Sequence, residues 1–254
     1  MTSAEPWSWM AGSVRGSSHI MCGMPRQDHY WTGSFDDHRT IAVVMCDGAG
    51  GASHGGAGAA LAVRALRTLV RDEVMGCGCP PSEDQLADWL ELVRDMLDGV
   101  AAAAGLPIDA FATTAMIAVS DARATTTAHL GDGFIGARFT GQAEWQGFSA
   151  PQRGEYAGTT TFLTDELIAP VTSTVFGLLT HLCVSTDGLE PAAWNEADNG
   201  PHTPFFSSLA GAITAPAGFD RNASTRLRAW LASPALGARL HDDLTVCVAA
   251  KSVR

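Results

Sequence analysis

The chain has 254 residues, 46% hydrophobic and 17% charged, with a formal charge of −11 from 27 acids against 16 bases. That length and balance fit a globular chain with a sizeable core and exclude a disordered one. The acidic excess argues against non-specific nucleic-acid binding and against docking on anionic lipid.

The opening MTSAEPWSWMAG has neither a basic start nor a long apolar stretch, so no signal peptide is expected. Residues 8–20 (SWMAGSVRGSSHI) alternate with Gly and Ser and predict a first strand. Residues 40–46 (TIAVVMC) form a β-branched run too short for a helix, ended by Asp47-Gly48. A glycine-rich turn, GAGGASHGG, follows. AGAALAVRALRTLVRDEV then reads as a helix with Arg64, Arg67 and Arg71 on one face. CGCPPS breaks it. A second helix starts at Ser82, a candidate N-cap with acids in its first turn, and carries an apolar stripe of Leu86, Trp89, Leu90, Val93 and Leu97.

AFATTAMIAVSD, ATTTAHLGDG and FIGARFTG predict three successive strands with short turns. Residues 145–175 are polar, turn-rich and carry no clear period. LLTHLCVSTDG predicts a strand ending at Asp187, HTPFFSSLAGAI a short helix, ASTRLRAWLAS (223–233) another helix, and LTVCVAAK a closing strand. This order lacks the regular βαβα alternation of a parallel sheet. It predicts an α+β chain of antiparallel sheets covered by helices, read as one domain over 1–254.

No run of about 18 uncharged apolar residues is present to span a bilayer. Of the six cysteines, Cys46, Cys183 and Cys247 sit in apolar strand-like runs, and only Cys77-Gly78-Cys79 forms a close pair, without a second pair or His at zinc spacing. A reduced, cytoplasmic, monomeric protein is the expectation. Trp7, Trp9 and Trp31 read as core or lid aromatics.

The chemistry lies in four acidic turns. Asp47, Asp132, Asp187 and the pair Asp242–Asp243 each end or begin a β-like run beside a glycine or a second aspartate. A single Asp-Gly is an ordinary turn. Carboxylates gathered from distant segments, rich in oxygen and poor in nitrogen, favour hard cations such as Mg or Mn.

These motifs resemble, in order and over nearly the whole chain, the metal-dependent Ser/Thr protein phosphatases of the 2C type in their compact bacterial form. Gln27-Asp28, VVMCDGAGG, Thr113-Thr114-Ala115, Gly131-Asp132-Gly133, Ser185-Thr186-Asp187-Gly188-Leu189 and Asp242-Asp243-Leu244-Thr245 carry the resemblance. It implies a four-layer α-β-β-α sandwich, two central antiparallel sheets flanked by helix pairs. It implies hydrolysis of phosphoserine and phosphothreonine on proteins by a metal-activated water, with two Mg or Mn ions and a third, weaker site near Asp132. Asp47 with the Gly48 carbonyl, Asp187 and Asp242 are the implied metal ligands and catalytic residues; Asp28 is implied to hold a metal-bound water, and Asp243 is the alternative to Asp242.

Two departures stand out. Ala49 occupies the place where members often carry a His proposed as general acid, leaving His54 as a candidate. Gly23 occupies the place of a phosphate-clamping Arg, leaving Arg15 and Arg26 as candidates, with His19 in the same segment. They keep open a pseudophosphatase that binds phosphoprotein without turnover, and a phosphatase for small phosphomonoesters. The sequence has neither a Cys-x5-Arg loop nor an Asp-x-Asp nucleophile motif.

Overall fold

The computed structural model describes residues 5–152, 160–177, 179–195, 197–198 and 200–251. β1 (Trp7–Val14) leads through the short helix α1 (Ser17–Met21) to β2 (His29–Phe35) and β3 (Thr40–Cys46). Two long helices follow, α2 (Gly55–Cys77) and α3 (Glu83–Ala104). Then come β4 (Ala115–Ser120), β5 (Ala124–Leu130), β6 (Phe134–Phe139), β7 (Gln146–Ser149), β8 (Val171–Phe176) and β9 (Leu179–Ser185). After α4 (Glu190–Ala193), β10 (Trp194–Asn195) pairs with β11 (Gly200–Pro201). α5 (Thr203–Gly211), β12 (Gly218–Phe219), α6 (Arg221–Leu231), α7 (Pro234–Gly237) and β13 (Leu244–Lys251) complete the order.

The main strands form two sheets, ordered β12-β1-β13-β9-β6-β7 and β2-β3-β4-β5-β8. Every pairing is antiparallel except that of β1 with β12. β3 explains why the sheets stack. Its side chains alternate between two faces, and both are buried, so the run reads as continuously apolar. Ala42, Val44 and Cys46 face Leu66 and Val70 of α2 and Leu90 and Leu97 of α3. Ile41, Val43 and Met45 face the other way, onto Trp9, Ile135, Val184 and Cys247 of the second sheet. On the far side of that sheet, Phe206 of α5 and Leu227 and Leu231 of α6 cover Met10, Val246 and Val248. The result is helices, sheet, sheet, helices, as the resemblance implies. Trp7 and Trp9 belong to the inter-sheet core, while the half-buried Trp31 packs under α2 with the Arg67 guanidinium above its ring.

The helices follow their local signals. Ser82 Oγ accepts from the Gln85 amide at 3.1 Å and Gln85 Oε1 accepts from the Ser82 amide at 2.9 Å, a reciprocal capping box. Leu86, Leu90, Val93 and Leu97 are buried, with Trp89 at the margin of that core.

One expectation needs correction, and two features go beyond what the sequence announces. Residues 8–20 are not one strand. β1 ends at Val14 and Ser17–Met21 turn into a helix, because Gly16 lies so close to Asp242 that a Cβ would sit 2.3 Å from its carbonyl carbon and the chain must veer away. β2 is a strand that its half-exposed, mixed sequence HYWTGSF did not announce. And β6 does not continue the β4–β5 meander; it crosses to the other sheet and pairs with β9 and β7. Of the polar stretch 145–175, β7 and β8 are strands, and residues 153–159 lie outside the described residues. Among the described residues no helix is long and apolar enough to cross a membrane.

Candidate active site

Both sheets deliver acids to one end of the sandwich. Asp47 follows β3, Asp132 sits in the crossover between β5 and β6, Asp187 follows β9 and Asp242 precedes β13. All four line one cleft of about 530 Å³, together with Gln27, Gly48, Ala49, Gly50 and Thr114. Asp28 lies beneath it, fully buried. Side chains 214 residues apart in sequence (28 to 242) thus meet at one cluster, as the acidic turns predict.

Short backbone contacts fix each carboxylate. Thr114 Oγ1 accepts from the Asp47 amide at 2.9 Å, while the Thr113 hydroxyl and the Thr114 amide both donate to the Asp47 carbonyl at 2.8 Å. Gly48 is required next to it, because a Cβ there would stand 2.3 Å from the Gly55 carbonyl carbon at the start of α2. Gly188 serves the same purpose after Asp187: a Cβ would meet the Asp243 carbonyl oxygen at 2.0 Å. The Thr186 hydroxyl donates to Asp28 Oδ2 at 2.9 Å, joining the β9 turn to the N-terminal segment.

The electrostatics are those of crowded acids. Burial pushes the Asp28 carboxyl up to about 6 and the nearby Asp243 charge adds to this, against hydrogen bonds from Asp47, Thr245 and Thr186 that lower it. Burial, then the charges of Asp132 and Asp242, push Asp187 up to about 7. Asp47 is raised well above the usual carboxylate range by burial and by the charges of Asp28, Asp187 and Asp242. Burial raises Asp132 too, with Glu190, Asp242 and Asp28 contributing. Asp28 Oδ1 and Asp187 Oδ1 are buried without any hydrogen-bond partner. Orphaned acceptors among mutually repelling carboxylates are what a hard cation satisfies, so this oxygen-rich donor set fits divalent ions.

Asp242 and Asp243 part company. Asp242 faces the cleft. Asp243 is buried and turned inward, where Oδ1 accepts from the Gly16 amide at 2.7 Å and contacts His19 Nδ1 at 2.9 Å, and Oδ2 accepts from the Gln27 and Asp28 amides. Among the described residues, His19, Asp242 and Asp243 are the group of three whose potential ligand atoms all lie within 4.8 Å of one another. Since Asp243 is already filled by donors, the trio reads as the underside of the acidic cleft.

The basic candidates stand elsewhere. Arg15 is exposed, donates to the Met24 carbonyl at 3.2 Å, and lines a neighbouring groove that touches the other side of Asp242. Arg26 is half-buried and acts on His29, whose pKa is lowered by burial and then by that charge. His54 precedes α2, contacts Ser53 and stacks on Phe111. None of the three lines the cleft. Cys46 is buried behind Asp47, and burial pushes its thiol up and out of nucleophilic use. Asp243, the alternative ligand to Asp242, has a structural role instead, and the Thr186 and Thr245 side chains have roles that the sequence does not assign. A hydroxyl residue directly before Asp187 was the available signal for Thr186.

The sequence profile of the family described as Protein phosphatase 2C matches residues 15–232. The chain is similar to Serine/threonine-protein phosphatase 3 of Escherichia coli (strain K12), at 30% identity over 251 residues, covering 96% of this chain and 98% of that one. Its fold is similar to that of the serine/threonine phosphatase Stp1 from Staphylococcus aureus, at 14% identity and a TM-score of 0.68, covering 96% of this chain and 95% of that one. It is also similar to the catalytic domain of the serine threonine protein phosphatase PstP in complex with 2 manganese ions, at 17% identity and a TM-score of 0.67, covering 96% and 97%.

Proposed function

The chain belongs to the protein phosphatase 2C family, and from that premise we propose how its cleft works as a metal-dependent serine/threonine protein phosphatase. The observation that carries the reading is the convergence of Asp47, Asp187 and Asp242 on one cleft with orphaned carboxylate oxygens beneath and beside it.

Asp47, Asp187 and Asp242, with the Gly48 carbonyl, would hold two divalent cations, Mn or Mg. Asp28 would hold a water bound to one of them, and Asp132 would serve a third, weaker ion. Bound there, such ions would supply a water acidic enough to deprotonate near neutral pH and positive charge to offset that of a phosphoryl group. The residues of the chain do the rest. Thr113 and Thr114 hold Asp47 rigid through its backbone, Thr186 fixes Asp28, and Asp243 locks the Gln27–Asp28 segment to the start of β13. Such support keeps acids that repel one another in register before substrate arrives. Among the described residues no His or Arg lines the cleft.

The test is phosphate release from p-nitrophenyl phosphate and from a phosphothreonine peptide. Activity is expected with Mn or Mg, is lost in EDTA, and falls at least about 100-fold in Asp47→Asn. Full activity in chelator sinks the reading. Ion binding without turnover on any substrate points to a phosphoprotein-binding module instead.

A further inference from the structure

Two carboxylates on the cleft wall stand apart from the acid cluster. Asp109, exposed, lies in the 3-10 turn Ile108–Phe111 after α3. Asp165 lies on the loop before β8, where its Oδ2 accepts from the Phe162 amide at 2.9 Å and its carbonyl accepts from Arg94 Nε of α3 at 2.7 Å. Both line the cleft, as does Phe162, and the described lining contains no Arg, Lys or His. A second feature points the same way. Gln27 is 3% exposed and lines the same cleft. Its Nε2 faces the Ala49 carbonyl at 3.5 Å, which fixes the amide, and its buried Oε1 has no partner. A buried acceptor without a donor marks where a donor from a bound molecule goes.

The charge balance identifies that molecule. A phosphoryl group carries about −1.5 to −2 at neutral pH. Seated over carboxylates whose charge the cations only offset, it leaves the cleft negative, and Asp109 and Asp165 add to that field; Arg94 offsets part of the Asp165 charge from behind the loop, while none of the described lining residues is cationic. A substrate that carries its own positive charge relieves this; an acidic one compounds it.

We propose that Asp109 and Asp165 are specificity-determining residues that select phosphoserine or phosphothreonine flanked by arginine or lysine. Phe162 offers a stacking face for a guanidinium, and Gln27 Oε1 a further acceptor. This rests on the phosphatase reading above.

Three phosphothreonine peptides that differ only in Arg, Ala or Glu beside the phosphorylated residue test it. The wild type hydrolyses the Arg peptide at least about tenfold better in kcat/KM than the Glu peptide, with the difference in KM and shrinking between low and high salt. In Asp109→Asn/Asp165→Asn the Arg peptide slows and the Glu peptide speeds up, whereas a merely structural role slows both alike. By fluorescence anisotropy, the unphosphorylated Arg peptide binds the double variant and Gln27→Met more weakly than the wild type. Equal kcat/KM across the three peptides overturns the proposal, as does calorimetry in which the double variant keeps its peptide affinity and loses a Mn ion instead. Inactivity toward every substrate, p-nitrophenyl phosphate included, overturns the phosphatase reading itself, and the anisotropy then decides the preference of the rim alone.

Discussion

Asp242 and Asp243 are adjacent in the chain and have opposite surroundings. One opens on the cleft; the other accepts main-chain hydrogen bonds from Gly16, Gln27 and Asp28. Their substitutions should therefore separate. Asp242→Asn is expected to weaken Mn binding by calorimetry with little change in denaturant midpoint. Asp243→Asn is expected to cost about 2–3 kcal/mol of stability, because it removes charge from hydrogen bonds that hold a buried loop. Equal midpoints for the two variants would contradict this division. The sequence made the acids visible, since each interrupts an apolar run, and family order ranked Asp242 first. It could not display which of two neighbouring carboxyls turns inward. That depends on where residues 16 and 27, more than 200 positions upstream, deliver their amides.

Helices and strands with a strong local signal were legible, and those set by their neighbours were not. β3, α3 with its capping box, and β13 fall where pattern and caps put them. β2 and the crossover of β6 are decided by which sheet edge is free, a non-local matter that alternation does not encode. α6 shows how one side chain sets an element. Asp220 caps it by accepting from the Ala223 amide at 2.8 Å, and its other oxygen accepts from the Thr214 and Ala215 amides. Burial raises its pKa, but these hydrogen bonds outweigh it and hold the carboxyl at about 2. A carboxyl depressed in the folded state adds stability above its ordinary value of 3.8 that fades as pH falls toward 2. Asp220→Ala should cost about 1–2 kcal/mol near neutral pH in denaturant unfolding, with the gap to wild type closing in acid. A gap that persists unchanged at pH 2 would assign the loss to packing.

Over the whole molecule, the acidic cluster opposes folding when no cation balances it. Asp28 and Asp187 are raised in the folded state to about 6 and about 7. Raised carboxyls favour the folded state at low pH, and that contribution is lost as pH climbs from about 4 through 7. Metal-free protein should accordingly melt at a lower temperature at pH 8 than at pH 5.5, and saturating Mn should raise the melting temperature more at pH 8. A Mn shift that does not grow with pH would argue that the cluster is not where the ion binds. A last consequence follows from β1 and β13, which pair along their full lengths, Trp7 with Lys251 through Val14 with Leu244. During synthesis the first strand emerges and then waits about 230 residues, from Val14 to Leu244, before this partner strand exists. The five-stranded sheet with its two long helices can form earlier; the six-stranded one cannot. The cleft therefore gains Asp242 and its strand last, and a nascent chain halted at residue 240 should show the β1 amides that pair with β13 unprotected in hydrogen exchange.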